Sequence, residues 1–146
     1  MKLRDVAFAL LAGVSLFASN AWAAPEVASS TTGVQGYDLV SYQNSKRPIR
    51  GNGHFLSVVD GVTYLFANAE NKRRFDRNPD KYLPAYGGYC AFGAAHGGKS
   101  DVDPEVWDIV DGKLYLMVSS GTKVIWTKKK MTYIEMANRA WLSIAN

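Results

Sequence analysis

The sequence is poor in the residues that usually staple or metallate a small protein: one cysteine, Cys90, and two histidines, His54 and His96, in 146 residues. One cysteine forms no internal disulfide, so a disulfide-built scaffold is excluded. It also falls short of the about four ligands that a self-contained structural zinc site needs. Gly-x-Ser-x-Gly, a phosphate loop and His-Glu-x-x-His are all missing, which removes the commonest hydrolase, nucleotide and zinc-protease readings. Hydrophobic residues make up 47% and charged residues 21%. That balance excludes a disordered or collagen-like chain and suits one ordinary globular domain.

Met1-Lys2-Leu3-Arg4 is a short basic start, Val6 to Ala18 an apolar run, and Ala21-Trp22-Ala23 a small-x-small pattern. Together they predict a secretory signal peptide over 1–23, cleaved near Ala23. The run is too short for a membrane span, which takes roughly 20 apolar residues. The expected mature chain is exported, to a periplasm or the medium, with no membrane span of its own. Residues 24–36 are rich in Ala, Ser, Thr and Gly and read as a flexible tail, leaving 37–146 as the domain.

Removing Lys2, Arg4 and Asp5 with the leader leaves a net charge of +3. Such weak positive charge gives no argument for nucleic acid. Lys72-Arg73-Arg74 with Arg77, and Lys128-Lys129-Lys130, read as solvated helix faces. The acidic stretch Asp101, Asp103, Glu105, Asp108 and Asp111 has Asp-x-Asp spacing suited to calcium, but lacks the glycine and distal glutamate of a calcium loop.

The strongest internal feature is a repeat. Val59-Asp60-Gly61-x-x-Tyr64-Leu65 recurs 51 residues later as Val110-Asp111-Gly112-x-x-Tyr115-Leu116, and the register continues through Lys72/Lys123, Phe75/Trp126 and Tyr82/Tyr133. Asp-Gly between apolar runs is a hairpin signal, since a type I′ turn needs positive φ at both central residues. The first hairpin is expected over His54–Val59 and Val62–Ala67, the second over Trp107–Val110 and Lys113–Val118. Asn68 and Ser119 stand at helix N-cap positions, ahead of helices expected over 69–77 and 122–130. A short helix is expected from about Cys90 to His96, between paired glycines. Tyr133, Met136, Ala137, Ala140, Trp141 and Ile144 fall on one helical face, with Thr132 and Glu135 as a capping box. The fold class is therefore α+β: two hairpin–helix units, about 54–84 and 107–137, and a C-terminal amphipathic helix.

Several of these segments carry a resemblance. Gly36-Tyr37-Asp38-x-Val40-x-Tyr42, Phe66-Ala67-Asn68-Ala69-Glu70-Asn71, Asn78-Pro79-x-x-Tyr82, Tyr86-Gly87-Gly88-Tyr89-Cys90-Ala91 and Asp103-Pro104-x-x-Trp107 with the strand after it resemble the exported YHS-domain family. The resemblance implies YHS/TRASH-like units. In that family's metal-handling setting the ligands are cysteines in an early turn and at the end of the second hairpin strand. Here those places read Gly36-Tyr37-Asp38 and Phe66-Ala67-Asn68, without cysteine. The branch resembled instead has one cysteine in a Gly-Gly-Tyr-Cys-Ala segment, replaced by selenocysteine in some relatives, which implies chemistry at Cys90.

At a helix start a thiolate is favoured by free backbone N–H groups, and a thiolate is both nucleophile and soft-metal ligand. The plain alternative is an inert thiol in the core. His96 lies six residues on, roughly 9 Å along a continuous helix and about 120° round it. His54 and Met117 are weaker candidates. A Cys–His–Met set would suit copper, and zinc is the other candidate ion. The expected function is a module binding a soft metal ion or sensing redox through Cys90 without turnover. Its alternative is a metal-free structural or protein-interaction module with Cys90 in the core, and a thiol-dependent redox enzyme, pairing Cys90 with either histidine, ranks third. The partners to be expected under these readings are a metal ion or another periplasmic protein. Tyr37, Asp38, Asp60, Gly61, Gly87, Gly88, Tyr89, Trp107, Asp111 and Gly112 are assigned to the scaffold.

Overall fold

A computed structural model describes residues 31–44 and 47–145. The expected leader and residues 24–30 lie outside the described residues. The chain is mixed α+β, with two small sheets and several helices. No helix among the described residues is long and apolar enough to cross a membrane.

The first sheet contains β1 (Thr31–Thr32), β2 (Asn52–Val59) and β3 (Val62–Phe66) in the order β1-β3-β2. The second is the hairpin of β4 (Asp103–Val110) and β5 (Lys113–Met117). Both hairpins turn at Asp-Gly with positive φ at each central residue: 50° and 76° at Asp60 and Gly61, and the same at Asp111 and Gly112. Those are the left-handed conformations a type I′ turn requires. Both outer strands start earlier than His54 and Trp107, because each carries an irregularity in register, between Asn52 and Leu56 and between Asp103 and Trp107. The apolar alternation begins only past that bulge, which hid the first residues of each strand.

Each hairpin feeds a capped helix. Asn68 Oδ1 accepts from Asn71 N at the start of α2 (Ala69–Arg77), and Ser119 Oγ accepts from Thr122 N at the start of α5 (Ser120–Lys128). These caps satisfy N–H groups that have no partner within the helix. Two short helices, α1 (Ser41–Asn44) and α4 (Ala91–Ala95), precede the hairpins, and α3 (Pro79–Tyr82) follows α2 with proline at its first position. The C-terminal helix α6 spans Lys130–Ile144, so it begins before the expected Thr132 and Glu135 box. Lys129, at φ −145°, is the joint from which α5 turns into α6, and no side chain caps that start. Thr31–Gly36, read from composition as tail, is instead built in. Thr31 and Thr32 pair in parallel with Val62 and Thr63, and Gly33 and Gly36 are buried. Backbone pairing holds this segment, and a Ser/Thr-rich composition gives no sign of that.

The two halves correspond residue by residue. Phe55, Tyr64, Phe66, Phe75 and Tyr82 form the first unit's inner face, and Val106, Tyr115, Met117, Trp126 and Tyr133 take the same places in the second. Their surroundings differ on the opposite sheet face. In the second hairpin Leu114 and Leu116 are buried against the first unit, and Tyr42 meets Trp107 edge-on at 5.5 Å. The matching face of the first hairpin carries Leu56 and Val58, both exposed. All of Leu114, Tyr115, Leu116 and Met117 are buried, so β5 runs through the middle of the molecule.

Candidate functional site

The correspondence reaches further upstream than the 51-residue register indicates. Gly33–Gly36 and Ala85–Gly88 are matching tight turns. Val34, Gln35 and Gly36 have φ of 45°, 50° and 81°, while Tyr86, Gly87 and Gly88 have 54°, 62° and 85°. Three left-handed residues in succession are rare, and at the β-branched Val34 that conformation is strained. The next residues are Tyr37 and Tyr89, then Asp38 and Cys90; α4 follows Cys90 directly, and α1 follows Asp38 after Leu39 and Val40. The spacing here is 52, because the stretch before β4 is one residue shorter than the stretch before β2.

Asp38 is fully buried and fully used. Its Oδ1 accepts from Val40 N at 2.9 Å. Its Oδ2 accepts from Ala67 N at 2.9 Å and from Asn71 Nδ2 at 2.7 Å. The carboxylate therefore ties the start of α1 to the end of β3 and the first turn of α2. Its own N–H donates to Ile49 O.

Cys90 is built into the second unit in the same way. Its N–H donates to Ser100 O at 3.0 Å, and it forms an isolated parallel bridge with Leu116. It is the N-cap of α4, and its Sγ accepts from Gly93 N at 3.5 Å. Sulfur is a weak acceptor, so this bond is a soft version of the one Asp38 makes. Cys90 is 1% exposed, among Ala91, Ala94, Met117 and Trp126, which are wholly buried.

The expected partners lie in different places. His96 caps the far end of α4 and is exposed, with Nδ1 2.7 Å from Phe92 O and its ring tilted at 45° to that of Phe92, centroids 4.4 Å apart. The helix thus holds Cys90 at its core end and His96 at its solvent end. His54 is exposed on β2, in the other sheet. Met117 shares the apolar cluster of Cys90. Among the described residues no group of three or more His, Cys, Asp or Glu is placed to hold a metal ion. Three members of the acidic stretch are engaged within the fold: Asp103 Oδ1 accepts from Glu105 N, Glu105 Oε1 from Tyr37 Oη, and Asp108 Oδ2 from Trp126 Nε1 and Lys130 Nζ.

The scaffold tyrosines join the units. Tyr37 Oη donates to Glu105 Oε1, Tyr42 Oη donates to Pro104 O, and the Arg50 guanidinium lies 4.5 Å above the Tyr37 ring. Burial raises the Tyr42 hydroxyl well above the ordinary tyrosine range, and the neighbouring Tyr37, Asp103 and Glu105 raise it further. Between the two left-handed turns lies an open cleft of about 370 Å³, with Val34 and Gln35 on one wall and Gly87, Gly88 and Tyr89 on the other. The equivalence of Asp38 and Cys90 was legible only in Gly36-Tyr37-Asp38 against Gly88-Tyr89-Cys90, a spacing one residue off the main repeat. Comparison with protein-family models, curated proteins and solved structures finds no match for this chain.

Proposed function

We propose that the protein is a non-catalytic interaction module of two YHS-type units in an exported chain, with Cys90 as a structural thiol. One observation carries this reading. Cys90 is sealed in the core at the position where the first unit places Asp38, a residue whose hydrogen bonds are spent on holding elements together. A thiol so placed lacks the access that metal exchange or disulfide chemistry requires. The test is the reaction of native protein with Ellman's reagent and with mercuric, cuprous and zinc ions, alongside Cys90→Ser. Under this reading the thiol reacts at the rate of unfolding, and the two proteins bind metal equally weakly. Rapid labelling of the native thiol, or stoichiometric binding lost in Cys90→Ser, overturns it.

Soft-metal or redox chemistry at Cys90 is the second reading, favoured by Met117 in the same cluster. Thiolate and thioether together suit cuprous copper. That reading requires α4 to move away from α6 so that an ion can enter, and the same titration decides it.

A further inference from the structure

The two units diverge most in chemistry on one helix face. In α2, Glu70 binds Arg73 and Arg74, and Lys72 pairs with Asp76, so five of its six charged side chains sit in ion pairs. The matching positions of α5 are Gly121, Val124, Ile125, Lys123 and Thr127. Both acids and two of the arginines are gone, and aliphatic side chains stand in water. Val124 is 60% exposed, Ile125 46%, Val118 47% and Met131 54%. From Val118 to Ile134 the sequence holds Lys123, Lys128, Lys129 and Lys130 and no acidic residue. Lys128 and Lys129 are exposed, while Lys130 is paired with Asp108.

We infer that this α5–α6 corner is a docking surface for an anionic phospholipid bilayer. Aliphatic side chains within a lysine rim match the two forces at such a surface, shallow burial of apolar groups and attraction to negative headgroups. Val124 lines one shallow surface recess together with Lys123, Thr127 and Lys128, so apolar and basic groups lie side by side there. Lipid adapts to the shape that such a patch offers. The inference is independent of what Cys90 does.

The experiment is sedimentation of the chain from Ala24 onward with vesicles of phosphatidylcholine, with and without about one part in three of phosphatidylglycerol. The expected result is binding to the anionic vesicles only, weakened by salt. Val124→Gln with Ile125→Gln should weaken it about tenfold without changing charge, and Lys128→Gln with Lys129→Gln by a similar factor. All four side chains are exposed, so these variants keep the fold, which circular dichroism checks. Absence of binding to anionic vesicles at low salt overturns the inference, as does binding that the Val124 and Ile125 changes leave intact. Retention on polyglutamate without vesicle binding would assign the face to an acidic protein instead, which also overturns it.

Discussion

Asp38 and Cys90 hold matching places in two copies of one unit, each following a tyrosine and a left-handed turn, Cys90 capping α4 and Asp38 standing three residues ahead of α1. The carboxylate accepts three hydrogen bonds and the thiol one. Removing each side chain should therefore have a different cost.

Asp38→Ala leaves Val40 N, Ala67 N and the Asn71 amide without their acceptor, the first buried and the other two half-buried. The expected loss of stability is about 3 kcal/mol or more, since each orphaned buried donor costs about 1–3 kcal/mol. Asp38→Asn keeps the shape but turns an amide against a donor, at about 2 kcal/mol. Urea unfolding measures both. A midpoint unchanged in Asp38→Asn would show that the carboxylate is dispensable.

Cys90→Ala should cost about 1–2 kcal/mol, the loss of a small buried group. Cys90→Asp, which installs the first unit's residue, should cost more than about 3 kcal/mol. The second unit has Thr122 where the first has Asn71, and the Thr122 N–H and hydroxyl are both engaged with Ser119. A buried carboxylate at 90 would find too few donors. Equal midpoints for the two variants would contradict this.

Gly51 and Gly53 flank Asn52 and should respond unequally to alanine. A Cβ on Gly51 would lie 2.4 Å from the Leu65 carbonyl carbon and 2.5 Å from its oxygen, and paired backbone cannot swing aside. Gly51→Ala should lose about 3 kcal/mol. A Cβ on Gly53 meets nothing within 4 Å, so Gly53→Ala should stay within about 0.5 kcal/mol of the parent. Thermal melts of the pair give the comparison.

The molecule should be sensitive to alkali. Burial, and then the neighbouring Tyr115, push Tyr86 up to about 12. Tyr64 is raised by burial and Asp60, and Tyr115 by burial and Asp111. A hydroxyl with a raised value in the folded state holds its proton more tightly there than in the unfolded chain. Its contribution is complete below the ordinary tyrosine value of about 10 and is lost as pH climbs from there toward 12. Ionisation of Tyr64, Tyr86 and Tyr115 should therefore coincide with loss of the circular dichroism signal, and Tyr86→Phe should move that transition to higher pH. Ionisation of these three well before the fold is lost would refute this.

Much of the frame was legible because it is set by local rules. Asp60-Gly61 and Asp111-Gly112 encode their turn conformation, and Asn68 and Ser119 encode helix starts. The exposure of Leu56 and burial of Leu116 were not legible, since both are leucine-rich strand faces and only the packing of one unit on the other separates them. The same holds for Cys90. Its neighbours in sequence, three glycines and three alanines over 87–95, describe a helix but not the strand it bridges. The gap between registers of 51 and 52 hid its relation to Asp38, and aliphatic residues at Val124 and Ile125 read as ordinary helix positions until α2 supplied the comparison.

β5 has neighbours on both faces, Leu114 and Leu116 toward one unit and Tyr115 and Met117 toward the other. The duplication in sequence is therefore no division in structure. A fragment ending near Leu83 would leave the first unit without the strand that closes its core, and the remaining fragment would expose Leu114 and Leu116 to water. Neither half is a domain. The chain should unfold in one cooperative step, and halves expressed apart should fold only by recombining across β5.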